Sequence, residues 1–222
     1  LHFFSINPES IENEKRTSNK LEGEYNIVLL GFDNSREGYR FIEFMTVLSV
    51  NIKTGEIKTY GVNPFFLIDS PDGESYAIYT IWNNLSADRT NFIIKAVSDL
   101  TGIRIDRYIA FDINDLKTII SLLGLGINKA DFSSLYYSDI NTNVINNSEN
   151  SIKYLLDKKS SHDDDTATVR YTNLVNLLIK GNRNLFYLYR AFLDSDSILK
   201  RIFTDMNRDE LISFTLGIYN AN

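Results

Sequence analysis

The sequence predicts an α/β domain, a central sheet flanked by helices with a helical C-terminal half. Three observations predict it. Residues 92–126 read as helix, strand, helix. Residues 25–32 form a near-continuous apolar run closed by Gly31, as in a central strand buried on both faces. From residue 169 onward, four stretches in succession place their apolar side chains at helical spacing.

Taken in order, residues 1–24 are polar and charged and lack periodicity, so they read as a linker or loosely packed arm. Residues 25–222 make up the domain. After the first strand, DNSREGYR (residues 33–40) is a turn rich in Asn, Ser and Gly. Residues 44–51 and 56–62 form a hairpin, and Lys53-Thr54-Gly55 supplies the glycine of its short turn. Residues 63–86 are irregular, with Pro64, Pro71 and Gly73. They carry the aromatic cluster Phe65, Phe66, Tyr76, Tyr79 and Trp82, read either as core filling under a long loop or as the wall of an apolar groove.

In the helix-strand-helix block, Phe92, Ile93, Ala96, Val97 and Leu100 share one helical face, and Thr101-Gly102 ends that helix. Residues 105–112 are a strand rich in β-branched and aromatic residues. Asp112 or Asn114 caps the next helix, whose apolar set is Leu116, Ile119, Ile120 and Leu123. Residues 128–150 are Asn-rich, a surface excursion with one short strand; residues 151–156 read as a helical turn and KKSSHDDDT (residues 158–166) as a charged loop. The four helical patterns cover residues 169–180, 182–193, 196–205 and 207–219, the last opening with the capping-box pair Asn207 and Glu210.

Composition narrows the function classes. The chain has 222 residues and 43% hydrophobic content, enough for one sizeable core. A net charge of −6 argues against a nucleic-acid partner, which needs a basic footprint. With no cysteine there is neither a disulfide framework nor a thiol nucleophile. His2 and His162 are too far apart in sequence to suggest a metal cluster, and no P-loop, dinucleotide fingerprint or Ser-His-Asp pattern occurs. The SHDDD run reads as a solvated loop, with cation binding by Asp163, Asp164 and Asp165 as the alternative.

Three blocks carry a resemblance. LTGIRIDRYIAFDINDLKTIISLLGLGI resembles a block of the LytR-CpsA-Psr family, "LTGIxIDHYVxIDFxGFxxLVDxLGGV". NIVLLGFDNSREG (residues 26–38) is similar to that family's "NILLLGxDxR" strand and turn. FMTVLSVNIKTGEIKTYGV (residues 44–62) is similar to its "DTMMLVSINPKTKKVxxVSIPRD" hairpin. The resemblance covers about residues 25–214. It implies a mixed central sheet and transfer of a glycopolymer from a polyprenyl-pyrophosphate carrier to a cell-wall acceptor. It also implies a place outside the cytoplasmic membrane, in the cell envelope, with the membrane reached through an N-terminal anchor.

The chain begins LHFFSINPES, without a basic n-region or a bilayer-spanning apolar run. A trimmed cytosolic start and an anchor lying outside this sequence are both open, and the resemblance favours the anchor.

Pyrophosphate chemistry needs carboxylates to hold a divalent metal and arginines to pair phosphate oxygens. The family's metal acids fall on Asp33 and Glu43, which implies a Mg²⁺ site. Without the resemblance, Asp33 reads as a turn-forming residue and Glu43 as a solvated strand-edge charge.

The cations are largely replaced. The turn arginine falls on Ser35 or, with a one-residue insertion, Arg36, and the arginine of "RxDT" falls on Phe41, leaving Arg40 as a displaced substitute. The arginine and aspartate of "SIPRD" become Pro64 and Phe65. "YxRxR" gives Leu156 and Lys158. "GDFxRxxRQ" keeps Asp165 but gives Thr168, Tyr171 and Thr172, with Arg170 as a shifted survivor. Each lost charge-assisted pair forfeits on the order of 1.5–3 kcal/mol. Three functions are compatible with this pattern. The first is a divergent member with impaired or absent catalysis that still binds polyprenyl lipid or glycan. The second is an active Mg²⁺-dependent phosphotransferase using Asp33, Glu43, Arg36, Arg40, Lys158, Asp165 and Arg170. The third is an envelope protein-interaction module that binds no lipid.

Overall fold

In the computed structural model, residues 23–34, 39–69, 73–84, 89–115, 118, 164–181, 197 and 200–220 are described. Residues 1–22 of the expected arm, most of the helix over residues 116–123, the excursion over 128–150, the turn over 151–156 and the helix over 182–193 lie outside them.

Strand β1 (Glu24–Asp33) is the middle of a five-stranded sheet. Strand β2 (Phe41–Asn51) runs antiparallel to β1, and β3 (Ile57–Gly61) antiparallel to β2. On the other side, β6 (Arg107–Asp112) is parallel to β1, and β7 (Ile202–Thr204) antiparallel to β6. The sheet is therefore mixed, in the order β3-β2-β1-β6-β7. Ile27, Val28, Leu30 and Phe32 are all buried, which explains why this strand reads as an unbroken apolar run.

The segment expected to be irregular has structure of its own. A small hairpin, β4 (Leu67–Asp69) and β5 (Ser75–Ala77), leads through one 3₁₀ turn (Ile78–Thr80) into α1 (Ile81–Asn84). Then α2 (Arg89–Thr101) buries Ile93, Ala96 and Val97 against the sheet. Leu100, expected on the same face, is exposed. Gly102 closes the helix with a φ of 67°, its N–H donating to the Ser98 carbonyl at 2.9 Å. Asp112 caps the helical turn that opens at Ile113, its Oδ1 accepting from the Asn114 N–H at 2.8 Å.

Helices α3 (Asp164–Gly181) and α4 (Arg208–Asn220) cover the opposite face. Helix α3 begins at Asp164, inside the run expected as a charged loop. A side chain at Gly61 would collide with Thr172 and Thr168, so this glycine lets α3 lie directly on β3. Helix α4 opens with the predicted capping box: the Glu210 N–H donates to Asn207 Oδ1 at 2.9 Å, and the Asn207 N–H to Glu210 Oε2 at 3.0 Å. The wholly helical C-terminal half is not what forms. Within the stretch expected as a helix over 196–205, Ile202–Thr204 pairs with β6 instead. The Thr204 hydroxyl secures it by donating to the Tyr108 carbonyl at 2.6 Å. No helix among the described residues is long and apolar enough to cross a membrane.

Candidate functional site

The parallel strands β1 and β6 finish side by side, with Phe32 opposite Asp112. Carboxyl ends of parallel strands are where open α/β sheets collect ligands. Here β1 ends in Asp33, which is buried at 8% exposure. Its cross-strand partner is Phe41, the first residue of β2. Between the pairs Gly31–Phe44 and Phe32–Ile42 the register shifts, so Glu43 is the extra residue of a β-bulge. The bulge thus delivers a second, half-buried carboxylate to the strand end that holds Asp33. Gly31 permits the arrangement: a Cβ there would lie 2.9 Å from the Phe44 Cβ and 3.1 Å from Ile113 Cγ1. The Phe44 ring needs that space for its contacts with Phe111 and Tyr171, at 5.9 and 5.1 Å.

Asp112 accepts from Asn34 Nδ2 at 2.6 Å and from both the backbone and side chain of Asn114. The Asn34 bond ties the end of β1 to the end of β6, and the two Asn114 bonds hold the Asp112 carboxylate in place. Among the described residues, no group of three or more His, Cys, Asp or Glu side chains has the geometry of a metal cage.

Of the cations named from sequence, Arg40 is the one whose side chain is described. The Arg40 guanidinium lies over the Phe203 ring at 5.8 Å. Its backbone is fixed by Asn83, whose Oδ1 accepts from the Arg40 N–H at 2.9 Å and whose Nδ2 donates to the Arg40 carbonyl at 2.7 Å. Asn83 carries no motif, since its partner is backbone, and nothing in the sequence singles it out. Asp165 and Arg170 are on α3. Arg36 and Lys158 lie outside the described residues.

The aromatic cluster divides. Trp82 packs edge-on against Phe32 in the core at 4.7 Å, and Tyr76 packs against that core too. Phe65 and Tyr79 instead join Tyr39 and Phe41 in a row of four rings. Successive centroids are 6.2 Å (Tyr39 to Phe41), 5.9 Å (Phe41 to Tyr79) and 4.9 Å (Tyr79 to Phe65) apart. Phe65 and Tyr79 are far in sequence from Tyr39 and Phe41, so only the fold reveals the row. Phe65, which the resemblance sets in the "SIPRD" arginine-aspartate pair, thus contacts another ring. An open depression of about 490 Å³ beside Ile68, Phe92 and Leu100, on the outer side of α2, involves none of the four rings or the two acids.

A second polar cluster ties the other end of the sheet. Arg107 Nη2 donates to Glu210 Oε1 at 2.8 Å, and Asp205 Oδ2 is 3.9 Å from Arg107 Nε. Burial opposes the Arg107 charge, but the Glu210 hydrogen bond, Tyr25 and the two acids outweigh it and raise its pKa. Burial also drives the Tyr25 hydroxyl well above the ordinary tyrosine range, against the pull of Arg107. Tyr25 Oη is buried without a hydrogen-bond partner.

The LytR_cpsA_psr family pattern matches residues 5–182. No curated protein sequence matches the chain. Several solved structures share the fold. TagV of B. subtilis superposes with a TM-score of 0.65 at 15% identity, covering 90% of this chain and 80% of that one. TagT bound to LIIa-WTA gives a TM-score of 0.66 at 12% identity, covering 90% and 76%. The transcriptional regulator yvhJ from Bacillus subtilis gives 0.63 at 14% identity, covering 91% and 79%.

Proposed function

The chain belongs to the LytR_cpsA_psr family, and from that premise we propose a cell-envelope protein that binds a polyprenyl-linked glycopolymer but is impaired in transferring it. In this reading it is held at the cytoplasmic membrane by an N-terminal anchor and faces outward. One observation carries the reading. Where the family pattern has the "SIPRD" arginine and aspartate, this chain has Pro64 and Phe65, and the Phe65 ring stands in a row with Tyr79, Phe41 and Tyr39. The strand end that keeps the acid therefore offers apolar and aromatic surface where the family pattern has a phosphate-pairing fork. TagT, seen bound to LIIa-WTA, is a relative in fold and makes a lipid-linked polymer the first ligand to test.

The residues at the site fit a magnesium ion in part. Asp33 and Glu43 are hard oxygen donors, and Mg²⁺ is commonly held by one or two carboxylates with substrate phosphates and waters completing its shell. Asp33 and Glu43 would hold it; bound there, the ion would neutralise pyrophosphate charge. The burial of Asp33 beside the bulge favours a second reading, an active Mg²⁺-dependent transferase drawing on Arg36, Arg40, Lys158, Asp165 and Arg170.

Lipid binding is tested by purifying the domain from a polyprenyl-containing host and extracting it for mass spectrometry. The proposal expects long-chain polyprenyl phosphate in stoichiometric amount. Lipid-free protein that also fails to bind added undecaprenyl phosphate overturns it in favour of a protein-interaction module.

A further inference from the structure

We propose that Tyr39, Phe41, Tyr79 and Phe65 form a binding row for a neutral glycan chain, sugar rings lying along the aromatic rings. The inference rests on the glycopolymer reading above and specifies the polymer class.

Four observations carry it. The row is continuous with the acid end of the sheet, because Phe41 is the cross-strand partner of Asp33. A sugar whose phosphate end sits near Asp33 meets the rings next. The rings are open to solvent at both ends of the row: Tyr39 is 58% exposed and Phe65 41%. Burial of the row in a core would explain neither value. Neighbouring planes are inclined by 12°, 28° and 42°: Tyr39, Phe41 and Tyr79 stack in succession and Phe65 is tilted against Tyr79, so a ligand meets the exposed end rings first. Steps of 4.9 to 6.2 Å suit successive rings of a linear polysaccharide. The C–H faces of a pyranose are apolar and slightly positive, and they meet the negative face of an aromatic ring favourably. Tyr39 and Tyr79 add hydroxyl groups that can bond sugar hydroxyls.

Among the described residues, charge favours an uncharged class. The chain carries −6 overall, Asp69 follows the exposed Phe66 and Leu67, and Arg40 is held over Phe203. A polyol-phosphate polymer or an anionic lipid surface needs clustered lysine and arginine. An uncharged sugar chain does not.

The test titrates the domain with maltohexaose, chitohexaose, a glycerol-phosphate oligomer of matched length, undecaprenyl phosphate in detergent, and phosphatidylglycerol vesicles. Tyr39→Ala and Phe65→Ala change exposed side chains, and thermal melts verify their folding. Leu100→Ala, in an exposed apolar residue on α2, is the control. Saturable binding of a neutral hexasaccharide is expected, weakened roughly tenfold in each ring variant, as for loss of one stacked ring, and unchanged in the control. Absence of binding by both hexasaccharides overturns the proposal. So does binding that the ring variants leave unchanged, or tighter binding of the glycerol-phosphate oligomer or the vesicles. If undecaprenyl phosphate binds and neither sugar does, the ring row fails while the lipid reading stands. If a sugar binds through the row and undecaprenyl phosphate does not, the lipid reading fails and the row stands.

Discussion

Asp33 and Phe41 are cross-strand partners at the last rung of the β1–β2 ladder. The buried carboxylate and the second ring of the aromatic row thus start from one point of the backbone. Two residues on, the bulge adds Glu43 to the same strand end. The register of one hairpin therefore fixes both halves of the candidate site, the acids and the rings.

That register depends on Gly31. An alanine methyl there would press on Phe44 at 2.9 Å and on Ile113 at 3.1 Å, in a fully packed layer. Gly31→Ala is expected to cost about 1–3 kcal/mol, in the range of overpacked cores. It should lower the urea midpoint with little change in m-value.

Arg107 and Glu210 join β6 to α4 with side chains only 16% exposed each. Replacing Arg107 with methionine leaves the Glu210 carboxylate half-buried without that cation, a loss on the order of 3 kcal/mol. The double variant Arg107→Met, Glu210→Gln should recover most of it, because the glutamine is uncharged and still caps α4. Chemical denaturation of the four proteins reads the coupling.

Tyr25 gives the stability a falling alkaline limb. Its folded-state pKa is raised, by burial first, so the folded chain holds the phenol proton more tightly than the unfolded chain. The corresponding stabilisation is complete below the ordinary tyrosine value of about 10 and declines as pH rises past it. Tyr108, also raised by burial and by Asp205, contributes in the same direction. Tyr25→Phe should flatten the limb without removing it. At neutral pH it should cost little, since the buried hydroxyl has no hydrogen-bond partner to lose. Thermal melts from about pH 8 to about pH 11 give both results.

How much was legible in the sequence depends on where each signal resides. β1 was legible because a strand buried on both faces has an unbroken apolar run. The α4 cap was legible because Asn207 and Glu210 hold the whole motif in four consecutive residues. β7 was not: Ile198, Leu199, Ile202 and Phe203 fit a helical period, and three residues of strand are too few to display alternation. The bulge at Glu43 was hidden because register belongs to a pair of strands. The acids could be named from the resemblance; the ring row needed the return of Tyr79 and Phe65 to Phe41, which only tertiary structure supplies.

One assay bears most directly on binding without transfer. The purified domain, with Mg²⁺ and a polyprenyl-pyrophosphate-linked oligosaccharide, is sampled for bound donor by native mass spectrometry and for released polyprenyl phosphate. A stable donor complex is expected, with no release above the protein-free control. Release across many turnovers, abolished by Asp33→Ala in a variant that still binds donor, would contradict it.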